Sequence, residues 1–455
     1  MVEVLRHPKV QIISNADILG VEGFVGNFKV KVRKNPRYVI AEKCTGCGEC
    51  KDACPIDYPN EWDMNLGTRK AISVPFDQAV PLVYSVNKDY CIECFKCVDA
   101  CGARKAINFD QKPEEIEVNV GAIILTIGYD MYNPEDMKEY GYGKYDNVFT
   151  GLEFERLILA SGPTGGKVIR ASDGKTPNSV AFIQCVGSRD INRYEYCSGF
   201  CCMFSLKQAV MLKEHYKDQI DVTIFYTDMR CGFKGYEEFF NRAREVGVHF
   251  IRVKLDNRRI IENPKTKNLM VCAETEEGKP VEVEVGMVIL ANASIPAASS
   301  KKLAKMLHIP LGKDGYFVEC QPKIRPMDTD VPGVFLAGSC QGLKDIPYSV
   351  TQASGAAAQA AALLSQKTWA VEPIVARVNE DNCSGCKICE SVCGYRAINV
   401  ENINGKGLAK VTEGLCRGCG VCASACPSDA ITMPNYTDEQ IMAQIKAIMQ
   451  ESGKQ

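Results

Sequence analysis

The spacing C-x2-C-x2-C-x3-C occurs four times: at Cys44, Cys47, Cys50 and Cys54; at Cys91, Cys94, Cys97 and Cys101; at Cys383, Cys386, Cys389 and Cys393; and at Cys416, Cys419, Cys422 and Cys426. No other feature limits the possible folds as tightly. Three thiolates on one tight loop can reach three corners of an iron–sulfur cubane, and the fourth must come from elsewhere. Structural zinc uses two C-x2-C pairs instead, and this spacing does not match them.

The run is that of bacterial two-cluster 4Fe-4S ferredoxins, in which the last cysteine of each run ligates the other cluster. The expected sets are therefore Cys44, Cys47, Cys50 with Cys101; Cys91, Cys94, Cys97 with Cys54; Cys383, Cys386, Cys389 with Cys426; and Cys416, Cys419, Cys422 with Cys393. Short strands are expected to start at Ala106-Ile107, Ala397-Ile398 and Ala430-Ile431. The first run departs, with a long excursion, PIDYPNEWDMNLGTRKAI, before Ala71-Ile72. Gly102 and Gly394 stand where Pro55 and Pro427 follow the other two runs.

Composition sets the rest of the frame. The 24 cysteines are accompanied by only four histidines, which weighs against a catalytic zinc or a triad. A chain of 455 residues is far larger than secreted disulfide scaffolds. Regular thiol spacing in so long a chain points to a reducing, cytoplasmic compartment. A net charge of −2 argues against a nucleic-acid surface. No window of eighteen apolar residues spans a membrane, and MVEVLRHPKV has no signal pattern.

The expected organisation has five parts. Residues 1–43 carry strand signals (VQIIS, FKVKVR) and belong to an α/β domain. Residues 44–112 form an inserted ferredoxin module, 113–370 continue the α/β domain, and 371–434, reached through the linker TWAVEPI, form a second ferredoxin module. In 435–455, Thr437 and Gln440 have capping-box spacing, and Ile441, Ile445 and Ile448 share one face of a helix ended by Gly453.

Three apolar runs in the α/β part resemble those of two-domain flavin disulfide reductases. ILTIGY, with Gly128, and ILANAS look like the steps that close the two dinucleotide folds. VFLAGS places Gly338 and Ser339 where a backbone meets a flavin ribityl chain. The following helix, through Pro347, Ser349, Val350, Thr351 and Gln352, would aim free N–H groups at the flavin pyrimidine end. Plain α/β core is the alternative. The G-x-G-x-x-G loop of a first Rossmann unit is missing: GVEGFVG and SGPTGGK both lack its spacing.

One more stretch stands out. CVGSRDINRYEYCSGFCC follows an apolar strand, SVAFIQ, and precedes a helical run, MFSLKQAVMLKEHY. A nucleotide fold would carry its phosphate loop at such a turn. Here the turn carries thiols.

VGNFKVKVRK, YVIAEKCTGCGEC, CVGSRD, YCSGFCCMFSLKQAV, GYEEFF and GVFLAGSCQGLKDIPYSVTQASGAAA together resemble the A-type subunits of the heterodisulfide reductase family, over about residues 1–434. The resemblance implies a thioredoxin-reductase-like flavoprotein core of two dinucleotide folds (α/β), truncated at its N-terminus, with an inserted and a C-terminal two-cluster ferredoxin (α+β) module. It implies that Cys185, Cys197, Cys201 and Cys202 ligate a fifth 4Fe-4S cluster, with a redox-active dithiol as the alternative. It also implies that Lys207 approaches the flavin N5 atom; a solvated helix lysine is the alternative.

The expected function is electron transfer between FAD and five 4Fe-4S clusters, with electron pairs split between ferredoxin and a disulfide such as CoM-S-S-CoB. A flavin-free conducting scaffold is the competing expectation. Disulfide chemistry would lie on B- and C-type subunits. A hydrogenase, formate dehydrogenase or F(420)-type subunit would supply electrons, and another chain would supply the glycine-rich half of the flavin site. Cys231, Cys272, Cys320 and Cys340 fit no run; Cys340 adjoins the flavin strand.

Overall fold

The structure, a computed structural model, describes residues 2–368, 374–403 and 405–452. Most of the linker, 369–373, and the expected helix stop Gly453 lie outside the described residues. The architecture is α/β with two cysteine-rich modules. Near the N-terminus, β1 (Ala16–Phe24) and β2 (Asn27–Lys34) form a hairpin whose register closes at Phe24 and Asn27, and β3 (Glu114–Val120) adds to it antiparallel. The connection Val25-Gly26 is too short for a parallel crossover. GVEGFVG is therefore this hairpin's end, with Gly26 at φ +83°, and no phosphate loop.

After β4 (Ile123–Leu125) the chain builds a five-stranded parallel sheet. Its strands are β5 (Val148–Thr150), β6 (Ser179–Val186), β7 (Asp221–Tyr226), β8 (His249–Arg252) and β9 (Met287–Asn292), in the order β5-β9-β6-β7-β8. In β6 every residue after Ser179 is buried, as expected of a parallel strand covered on both faces. Val180 and Phe182 pack against helices α1 (Gly151–Ile158), α2 (Cys201–Tyr216) and α3 (Tyr236–Glu245) through Phe154, Leu206 and Ala243. Ala181 and Ile183 face the opposite layer, where Leu269 and Val271 belong to an antiparallel ribbon. Phe182 is fully buried, and truncating it to alanine is expected to cost about 3–5 kcal/mol.

The expected flavin strand is β10 (Val334–Leu336), which pairs in parallel with β4 and makes an antiparallel bridge from Phe335 to Asp328. Helix α4 (Ile346–Leu364) follows, started by Asp345, whose carboxylate accepts from the Tyr348 N–H at 2.9 Å. Only Ala356 and Ala360 of α4 are buried, and Ile346 is 80% exposed. The last element is α5 (Asp438–Ser452), and Thr437 and Gln440 make the reciprocal bonds of a capping box. Among the described residues no helix is long and apolar enough to cross a membrane.

Each cysteine-rich module has its own small core. The first joins Val39, Ile72, Val83, Tyr84 and Ala106 to cysteines of both runs. The second joins Ala376, Ile398, Ala409 and Ile431 to cysteines. Strands begin at Ile72, Ile398 and Ile431, and Ile107 makes a single antiparallel bridge to Val39. Arg417 anchors the second module to the Asp330 carbonyl of the α/β part.

Candidate functional site

Each ferredoxin-type run turns through a tight loop into a short helix that carries its third cysteine: Glu49–Asp52, Lys96–Cys101, Ile388–Val392 and Val421–Ser424. The loop needs a left-handed residue. At Gly385, φ is +67° and an added Cβ would lie 2.6 Å from the Gly407 carbonyl oxygen. The helix then carries the fourth cysteine away from its own loop. Four cavities result. One is lined by Cys44, Cys47, Cys50 and Cys101, and its neighbour by Cys91, Cys94, Cys97 and Cys54. The C-terminal pair is lined by Cys383, Cys386, Cys389 and Cys426, and by Cys416, Cys419, Cys422 and Cys393.

The donor set and its surroundings fit an iron–sulfur cluster. Backbone N–H groups point at the sulfurs: Ala106 to Cys101 Sγ, Ala397 to Cys393 Sγ and Ala430 to Cys426 Sγ, each at 3.3 Å. Such donors stabilise thiolate charge and tune cluster potential. Among the described residues no three His, Cys, Asp or Glu side chains close around a point as a single metal ion requires; here the thiols surround cavities instead. Burial pushes the Cys50 thiol up to about 12 and those of Cys97 and Cys422 up to about 11, each raised further by neighbouring cysteines. Ligation at these positions therefore releases protons.

The remaining run of thiols gathers where β6 meets α2. Cys185 is the penultimate residue of the strand, at φ +60°, and Cys201 and Cys202 open the helix; all three are buried, and Cys197 is partly so. The turn between them is a small pinned loop. Arg189 N donates to the Tyr196 carbonyl at 3.0 Å, and Arg193 grips the Asp190 carboxylate at 2.9 Å and the Tyr132 hydroxyl at 3.0 Å. Gly199 N donates to Cys197 Sγ at 3.4 Å. The hydrogen bond between Cys201 and Cys202, with burial, holds the Cys201 thiol up, and the same bond pulls Cys202 down.

Beside this loop opens a cleft of about 890 Å³, within the usual range of ligand pockets. Gly128, Gly338, Ser339, Pro347, Ser349, Val350 and Lys207 all line it. Thr351 and Gln352 do not. The Thr351 hydroxyl donates to the Pro347 carbonyl at 3.0 Å, and the Gln352 side-chain oxygen accepts from Gly338 N at 2.8 Å. Gln352 thus shapes the turn at Gly338, where φ is +77°. The free first-turn N–H groups expected of α4 are also reduced, because Pro347 has none and Asp345 takes that of Tyr348.

Several cleft residues are invisible to motif reasoning. Glu155, from α1, forms an ion pair with Lys207 and accepts from Gln208 Nε2 at 2.9 Å. The half-buried Lys344 ammonium donates to the Gly338 and Gly342 carbonyls at 3.1 and 2.6 Å, and burial pulls its pKa down. Only the LKDIP stretch itself could have signalled it. Phe200, Met203 and Phe204 line the cleft and flank the Cys201-Cys202 pair, so both sites share the start of α2. Cys340 is buried and donates to the Leu125 and Ala337 carbonyls at 3.2 and 3.3 Å, a packing role between β4 and β10.

Known proteins match this arrangement. A family profile described as a 4Fe-4S dicluster domain matches residues 36–102, and another of the same description matches 376–433. The A-type iron-sulfur subunit of the CoB–CoM heterodisulfide reductase of Methanocaldococcus jannaschii is 50% identical over 453 residues, covering 99% of this chain and 68% of the relative. The A-type subunit of the H(2):CoB-CoM heterodisulfide,ferredoxin reductase of Methanothermobacter thermautotrophicus is 48% identical over 456 residues, covering 100% and 68%. Among solved structures, the thioredoxin reductase of T. acidophilum aligns over 56% of this chain and 67% of its own at 15% identity, with a TM-score of 0.33. This chain, an oxidoreductase subunit with two 4Fe-4S dicluster domains, belongs to the family of A-type iron-sulfur subunits of heterodisulfide reductase.

Proposed function

We propose that the chain is the iron–sulfur flavoprotein part of a heterodisulfide-reductase-type complex, carrying electrons between FAD in the 890 Å³ cleft and five 4Fe-4S clusters. The observation that carries this is α2, whose first turn holds Cys201 and Cys202 and whose next turns, through Met203, Phe204 and Lys207, form the cleft wall. When bound, the flavin would supply two-electron chemistry and the clusters one-electron conduction.

The chain's own residues supply position and charge. Gly338, held by Gln352, lets backbone approach a ligand closely. Phe200, Met203 and Phe204 exclude water from the wall next to the thiols. The Lys207 ammonium, steadied by Glu155, places a cation where negative charge would gather on a reduced ring. The sets Cys44/Cys47/Cys50/Cys101, Cys91/Cys94/Cys97/Cys54, Cys383/Cys386/Cys389/Cys426, Cys416/Cys419/Cys422/Cys393 and Cys185/Cys197/Cys201/Cys202 hold the clusters.

Electron traffic in the complex joins ferredoxin to the CoB–CoM heterodisulfide, the substrates named in relatives, by bifurcation or confurcation, with disulfide chemistry on partner subunits. The cleft's pyrophosphate half comes from a segment outside these 455 residues that carries G-x-G-x-x-G. The two-stranded parallel pair β4–β10 supports this, since parallel sheets are normally larger and covered. Metal analysis tests the reading. Anaerobically purified protein should hold about twenty iron atoms per chain, four for each cluster. A value near eight or twelve, or stoichiometric zinc, would overturn it.

A further inference from the structure

Among the described residues, several buried polar atoms without hydrogen-bond partners lie near Cys185. The Gln184 amide, the Ser188 hydroxyl, the Asn292 side-chain oxygen and Nη1 of Arg189 are all buried and unpaired. The first, second and fourth of these residues lie within a few positions of Cys185, and Asn292 faces Val186 across the sheet. Unpaired groups of this kind call for a partner that protein atoms do not supply.

Arg258 sharpens the point. It is 5% exposed. Its Nη1 donates to the Gln184 carbonyl at 2.5 Å, its Nε to the Leu255 carbonyl at 2.9 Å, and its guanidinium lies 5.9 Å from the Tyr140 ring centre. All three partners are neutral, and among the described residues no carboxylate pairs with it. A guanidinium keeps its charge at any working pH, and burying one without a counter-charge is strongly unfavourable. The Gln184 carbonyl it binds belongs to the peptide leading into Cys185. Arg189 also lies close: its Nη2 binds the Asp228 carboxylate at 2.7 Å, and the Asp228 carbonyl is 3.8 Å from Cys202 Sγ. Two guanidinium groups therefore lie near the Cys185 thiol.

We propose that Arg258 and Arg189 are the counter-ions of the cluster held by Cys185, Cys197, Cys201 and Cys202, and that they raise its reduction potential. This rests on the reading of those thiols as a cluster site. A thiolate-bound 4Fe-4S cluster is anionic and gains one further negative charge with each electron, so a fixed cation favours the reduced form. By contrast, the cavity of Cys54, Cys91, Cys94 and Cys97 is lined only by uncharged residues such as Ile56, Ile92 and Phe109. The two arginines therefore set the site beside the cleft above that cluster and draw single electrons towards it. Arg258 acts through the cluster and not on substrate; it is a positioning residue for charge.

The test is a redox titration of the iron-loaded protein in its assembled complex, followed by electron paramagnetic resonance. The signal that disappears in Cys202→Ser identifies the cluster concerned; if none disappears, the cluster reading itself fails, and this proposal with it. At a fixed poise, Arg258→Met should lower the reduced-to-oxidised ratio of that signal about tenfold, equivalent to ~59 mV for one electron. Arg258→Lys keeps the charge and should restore most of the ratio. Arg189→Gln, at a partly exposed site, should move it the same way and decides the matter if Arg258→Met loses iron. An unchanged ratio in Arg189→Gln and in any iron-retaining Arg258→Met would overturn the proposal.

Discussion

Asp63 and Arg156, 93 residues apart, meet at 2.7 Å with side chains only 11% and 14% exposed. Asp63 lies in the excursion that follows the first cysteine run, and Arg156 lies on α1, which also gives Glu155 to the cleft. Asn60 Nδ2 donates to the same carboxylate at 2.6 Å. The insertion in the sequence is thus a strut between the first cluster module and the cleft wall.

Asp63→Ala leaves Arg156 buried without its partner, which is expected to cost about 3 kcal/mol. Hydrogen exchange of residues 57–70 and 151–158 should then rise by roughly a hundredfold, with exchange in β6 unchanged. Equal protection in variant and parent would show that the strut carries no load.

Cys202→Ser should remove one cluster's worth of iron, about four atoms. Both ferredoxin-type modules should stay loaded, because none of their cavities contains this residue. Iron quantification with visible absorption reads this directly. Full iron content with full flavin-to-cluster transfer would show that Cys202 is not a ligand.

These 455 residues expressed alone should be poor in FAD. Co-expression with a segment carrying G-x-G-x-x-G should restore it to near one per complex. The physical reason is that the pyrophosphate charge normally rests on N–H groups of that loop, and neither glycine-rich stretch here forms one. Stoichiometric FAD on the isolated chain would make the loop dispensable, and none in the complex would leave a flavin-free conductor.

Alkaline stability should depend on Tyr132. Burial pushes its hydroxyl up to about 12, its hydrogen bond to the Asp136 carboxylate adds to the rise, and the bond from Arg193 opposes it. A folded-state value above the unfolded one of about 10 means that the contribution is complete below pH 10 and lost as pH climbs towards 12. Circular dichroism across that window should show a shallower loss for Tyr132→Phe than for the parent. Identical curves would sink this assignment.

The cysteine cavities could be read in advance because their geometry is local. A C-x2-C-x2-C loop fixes three sulfurs by itself, and the direction of the following helix sends Cys101 or Cys426 to the neighbouring cavity. The cleft was legible only at its backbone edges. Gly128 and Gly338 end apolar strands and so announce themselves, whereas Glu155, Arg189 and Arg258 reach their sites through tertiary packing that no periodicity encodes. Thr351 and Gln352 failed as cleft residues because consecutive helix positions point about 100° apart: with Ser349 and Val350 on the cleft, the next two turn away. The strand signals in residues 1–43 were legible, but their antiparallel pairing through the two-residue connection Val25-Gly26 emerges only in the structure.

Because Cys202 and Lys207 ride on one unbroken helix, the separation between the Cys202 thiol and the cleft is a property of a rod and not of a hinge. Five residues of α-helix advance about 7.5 Å, and one inserted residue would swing Lys207 through about 100°. Movement of the cleft mouth leaves the spacing of Cys202 and Lys207 along α2 unchanged. For the proposed flavin and cluster, ligand exchange and electron transfer would therefore be mechanically decoupled.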